Sequence, residues 1–133
     1  MADAAASTTA GTRILVADDE PHVRRILTTL LESRSYHFDT VTDGRAALDL
    51  LEADGRYDLV LLDLMMPGAT GLEVLERVRT LDHRAGIPVV ILTAKGQDAD
   101  REKAFSLGAD DFITKPFSPK KLLALIDTLL EAR

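Results

Sequence analysis

The chain has no cysteine, which removes disulfides, thiol catalysis and cysteine-ligated zinc in one step and says nothing against a cytosolic home. An excess of positive charge is missing too. The 16 Lys and Arg are scattered among 22 Asp and Glu, for a formal charge of −6, whereas a nucleic-acid surface needs basic residues clustered on one face. Direct contact with nucleic acid is therefore not expected. No apolar run approaches membrane-spanning length, so no membrane contact is expected either. Residues 1–11 are rich in Ala, Ser and Thr and contain neither a basic segment nor an apolar core. They are expected to form a flexible tail rather than a signal peptide. His22, His37 and His83 show no metal-ligand spacing.

What remains is an ordinary soluble composition, 46% apolar and 29% charged over 133 residues, which suits one domain with a core large enough to need no staples. That domain is expected over residues 12–133. Two periods alternate along it. Ile14–Ala17 is a short apolar run, then Pro21 opens a helix whose stripe is Val23, Ile26, Leu27, Leu30 and Leu31. A second strand lies at 37–41, and a second helix carries Ala46, Ala47, Leu50 and Leu51, with Gly55 expected to close it. Leu59 to Asp63 is a buried strand running into Pro67-Gly68. After Gly71, the residues Leu72, Leu75, Val78 and Leu81 mark a third helix. A fourth strand spans 87–92 and ends at Thr93. A helix with a weak stripe follows from about Asp98 to Leu107, and then a short strand over Asp111–Thr114. Ser118 and Pro119 cap and open a last helix with Leu122, Ile126, Leu129 and Leu130. Strands that alternate with helices predict an α/β, doubly wound, five-stranded parallel sheet with helices on both faces.

The polar residues at the strand ends carry the chemistry. Asp18 and Asp19 follow the first strand, Asp63 ends the third, Thr93 the fourth, and Lys115 follows the fifth, so all converge on one edge of a parallel sheet. Carboxylates gathered there repel one another unless a cation intervenes. Oxygen donors without thiolate or imidazole suit a hard divalent ion such as Mg²⁺. Thr93 and Lys115 then read as contacts for an anion beside the metal.

These motifs, Asp18-Asp19, Asp63 with Met66-Pro67-Gly68 and Gly71, Thr93-Ala94, and Lys115-Pro116-Phe117, resemble the receiver domain of bacterial two-component response regulators over residues 13–131. The resemblance implies a flavodoxin-like sheet of order 2-1-3-4-5. It implies that Asp63 is the phosphoacceptor, phosphorylated from a histidine kinase or a histidine phosphotransfer protein, and that no other substrate is turned over. Asp19, Asp63 and the backbone carbonyl of Met65 would hold Mg²⁺, with Asp18 acting mainly through water. Thr93, Ala94 and Lys115 would bind the phosphoryl group, Thr93 and Phe112 would act as switch residues, and the Lys115–Pro116 bond would be cis. Signalling to a downstream protein target from the surface around the fourth helix, fifth strand and fifth helix is implied, in the cytoplasm.

Some positions depart from the pattern. Phe112 stands where many members carry Tyr or His. Met65 and Lys95, two places beyond the phosphoacceptor and the switch threonine, flank the path of attacking water, and Met cannot orient a water, so a long phosphoryl lifetime is expected. The 109–133 segment resembles transcriptional members that dimerise through charge pairs, yet Lys121 and Leu125 replace the usual Glu and Arg. A monomer or weak dimer is expected. A dehalogenase-like phosphatase would need an acid where Met65 stands, and a flavin binder would not place Asp18-Asp19-Glu20 against a phosphate. A phosphorylation-independent pseudo-receiver is the nearest alternative.

Overall fold

The apolar runs become the centre of the sheet. A computed structural model describes residues 11–94 and 97–132; the expected tail apart from Gly11, and Lys95, lie outside the described residues. Leu59–Asp63 (β3) and Val89–Thr93 (β4) are buried at every position, and Arg13–Ala17 (β1) at every position after the first. A strand covered on both faces has no reason to alternate, which is why these read as continuous Leu, Ile and Val. His37–Val41 (β2) and Asp111–Thr114 (β5) show the partial exposure of edges. The pairings are all parallel, and the order is β2-β1-β3-β4-β5, as the family resemblance implied. Between the strands run Pro21–Ser33 (α1), Gly44–Glu52 (α2), Gly71–Thr80 (α3) and Asp98–Ser106 (α4), and Pro119–Glu131 (α5) closes the fold.

Side-chain alternation along the central strands divides the core into two layers. Ile14, Val16, Leu59, Leu61, Val90 and Leu92 pack under α1 and α5, against Val23, Leu27, Leu31, Leu122 and Ile126. Leu15, Ala17, Val60, Leu62, Val89 and Ile91 pack under α2, α3 and α4, against Ala47, Leu51, Val74, Leu75, Val78 and Ala104. Ser118 caps α5 as its place before Pro119 suggests, its side chain accepting from the Lys121 amide at 3.2 Å. α3 opens on a reciprocal box between Thr70 and Glu73.

Helix α2 stops at Glu52, three residues before the glycine expected to close it. Its last carbonyls are taken from outside. Arg84, only 4% exposed, donates to Leu51 O and Ala53 O at 3.0 Å each and also to Gly55 O. The His83 ring shares the Leu51 and Ala53 carbonyls at 3.1 and 3.0 Å, and the Arg84 guanidinium lies over the Tyr57 ring at 5.3 Å. A side chain about thirty residues away thus ends the helix, which no local stop signal shows.

The register sets the site. Ala17 pairs with Leu62, Asp63 with Leu92, and Thr93 with Thr114. Asp18, Asp63, Thr93 and Lys115 therefore stand at the carboxyl ends of adjacent strands. β1 is where the chain reverses direction across the sheet, and ligands of open α/β sheets bind in the crevice at that point.

Candidate functional site

β3 delivers Asp63 to the sheet edge at 5% exposure, and the chain leaves it tightly. The Gly71 amide donates to Leu64 O at 2.8 Å, and a side chain on Gly71 would begin 2.4 Å from the Asp63 carbonyl. Only glycine lets α3 start so close to the strand. Met65 contributes its backbone N–H to the Asp63 carboxylate while its side chain is exposed.

Asp18, 1% exposed, is held from several directions. Its carboxylate accepts the Glu20 amide at 2.9 Å and the Lys115 ammonium at 2.9 Å, and its carbonyl accepts Arg24 Nη1 at 2.8 Å. Lys115 follows β5, and its amide donates to Thr93 O at 2.7 Å. Its ammonium lies 3.1 Å from Glu20 Oε1 and 3.6 Å from Asp63 Oδ2. The Lys115–Pro116 peptide bond is cis. Thr93 is buried at the end of β4 and Ala94 beside it is exposed. Phe112 already points inward at 3% exposure, its carbonyl accepting Arg101 Nη1 at 3.1 Å.

The carboxylates of Asp18, Glu20 and Asp63 lie within 4.8 Å of one another, while Asp19 is exposed and outside that group. Glu20 is the residue that reading the sequence for site chemistry passes over. The signal was its place in an unbroken acidic run, Asp18-Asp19-Glu20. What sequence could not show is that Lys115, 95 residues on, brings its carboxylate beside Asp18 and Asp63.

Charge in this site is poorly compensated. Burial, then the charge on Asp18, push the Asp63 carboxyl up to about 6, against the pull of Lys115 and the Met65 amide. Burial alone would lower the Lys115 pKa, but its hydrogen bonds to Asp18 and Glu20 and the charge of Asp63 together raise it. A converging all-oxygen, acidic donor set beside one ammonium fits a hard divalent cation. Glu20 and Lys115 also line a cleft of about 320 Å³, together with His22, Val23, Ile26 and Phe117.

The fold and this edge define a flavodoxin-like α/β protein with an acid and lysine cluster at its switch point. Residues 14–127 match the response regulator receiver domain family, and the chain belongs to it. It is 45% identical over 120 residues to the transcriptional regulatory protein ResD of Bacillus subtilis, covering 90% of this chain and 48% of that protein. It is 45% identical over 116 residues to the transcriptional regulatory protein DltR of Streptococcus agalactiae, covering 86% and 50%. The chain thus spans about half the length of the curated relatives it matches. Among solved structures, the receiver domain of a signal transduction histidine kinase from Syntrophus aciditrophicus superposes with a TM-score of 0.83 at 31% identity, covering 91% of each chain. The receiver domain of a sensor histidine kinase from Pseudomonas aeruginosa, with a magnesium ion coordinated in its active-site cleft, gives a TM-score of 0.82 at 28% identity, covering 90% and 98%.

Proposed function

We propose that residues 12–133 form a phosphoacceptor unit in which Asp63 takes a phosphoryl group from a phosphohistidine on a sensor kinase or phosphotransfer protein. The observation that carries this reading is a buried carboxylate at the sheet's switch point with an ammonium 3.6 Å away and two further acids beside it. An Asp63 oxygen attacks phosphorus, the P–N bond breaks with its electron pair returning to the imidazole, and an acyl phosphate remains on Asp63. Lys115 neutralises phosphoryl oxygens as charge shifts, and the Thr93 hydroxyl and the Ala94 backbone receive the transferred group. Asp19, Asp63 and the Met65 carbonyl, with Asp18 acting mainly through water, would hold Mg²⁺, which when bound screens the charge of the phosphoryl oxygens. The magnesium ion in the Pseudomonas receiver supports that choice.

On this reading the chain catalyses only its own phosphorylation and dephosphorylation. Its output passes through the surface around α4, β5 and α5 to a downstream protein target in the cytoplasm, with Thr93 and Phe112 as switch residues. The test is incubation with acetyl phosphate, with and without Mg²⁺, followed by intact-mass analysis. One phosphoryl group is expected, lost in Asp63→Asn and on chelation. A wild-type mass that never changes would favour a phosphorylation-independent module.

A further inference from the structure

Glu20 stands at the N-cap of α1, where Ser, Thr, Asp and Asn are favoured because their short side chains fold back onto the first-turn amides. Glu20 makes no such bond. Its amide is fixed by Asp18 Oδ1 at 2.9 Å and its carbonyl accepts the Arg24 amide at 3.0 Å, so the backbone is set while the side chain is free to choose. It extends to Lys115. An acid near a helix N-terminus is favourable in many orientations, so the dipole does not explain that direction.

The ammonium has three donors, and its two short contacts go to Asp18 at 2.9 Å and Glu20 at 3.1 Å; Asp63 at 3.6 Å is beyond hydrogen-bond reach. Asp18 is buried and cannot release the lysine, whereas the Glu20 side chain is 54% exposed. Glu20 is the partner that can let go.

We propose that Glu20 is a positioning residue that holds the Lys115 ammonium away from Asp63 in the resting protein, and that its length, not only its charge, sets this restraint. The inference rests on Asp63 as phosphoacceptor. In metal-free, unphosphorylated protein, Glu20→Gln removes the charge and Glu20→Asp keeps it but withdraws the carboxylate by one methylene. NMR signals of the Lys115 ammonium and ε-methylene, identified by their loss in Lys115→Arg, and of the Asp63 carboxylate report the contact directly.

Both variants should move the Lys115 and Asp63 signals together, in the same direction. Once Mg²⁺ is restored, labelling by acetyl phosphate should quicken roughly two- to fivefold in both, the range of an exposed ion pair. Signals that stay in place in Glu20→Gln would overturn the restraint. A Glu20→Asp protein that behaves as wild type would overturn the role of length, and moved signals with unchanged labelling rates would overturn its bearing on the reaction. Failure of the phosphoacceptor reading shows differently: wild type takes no phosphoryl group, whatever the Lys115 signals do.

Discussion

Asp63 is asked to hold a charge that its surroundings resist, and that has a measurable cost. Its folded pKa of about 6 lies above the ordinary 3.8, so between those values the native state binds more protons than the unfolded chain. Stability contributed at this residue therefore falls as pH rises from about 4 through about 6, and the cost is complete above that. With metal chelated, Asp63→Asn should be more stable than wild type at pH 7.5 by about 2–3 kcal/mol and similar to it near pH 4. Urea midpoints at the two pH values check this, and a constant difference would contradict it. Met65, 59% exposed beside that carboxylate, offers water no hydrogen-bonding group. Met65→Asn should shorten the phosphoryl lifetime severalfold, and an equal or longer lifetime by mass analysis would count against that. Asp18, Asp63, Thr93 and Lys115 were legible as strand-end residues because a parallel sheet brings such ends to one edge. The reach of the Glu20 carboxylate to Lys115 was not, because it depends on a partner 95 residues away.

The elements themselves were legible where burial imposes a period. β1, β3 and β4 show as unbroken apolar runs, and α1 and α5 as stripes whose Val23, Leu27, Leu122 and Ile126 do reach the core. α4 was faint for a physical reason: Ala104 is its one buried residue, so little of its pattern is constrained. The end of α2 was misplaced because tertiary contacts override local stop signals. Arg84 and His83 satisfy carbonyls that a glycine cap would otherwise leave to water. Arg84→Ala should cost about 2–4 kcal/mol, since it strips the Leu51, Ala53 and Gly55 carbonyls of a charged donor, the first of them in a buried bond. Arg84→Lys should recover only part of that, because an ammonium cannot reproduce the planar fork. Denaturation midpoints decide it; a loss under half a kilocalorie would mean that water replaces the guanidinium.

For the molecule as a whole, the proposed output surface is formed by α4, β5 and α5. Its charge pattern argues against tight self-association. Asp110 is committed internally, accepting the Val89 amide at 2.8 Å and lying 3.4 Å from Arg79, and Leu125 is half-buried against the chain's own α1 and α5 core. Sedimentation with beryllofluoride should show a monomer or a weak dimer with little salt dependence; a tight, salt-sensitive dimer would show that other residues supply the charge pairs. The central claim, that Asp63 receives the phosphoryl group, is tested most directly by locating the modification. After Mg²⁺-dependent labelling with acetyl phosphate, borohydride reduces an acyl phosphate of aspartate to homoserine, which peptide mass mapping places in the sequence. Homoserine is predicted at position 63 alone, and homoserine at position 18 or 19, or label on a histidine with position 63 unchanged, would contradict it.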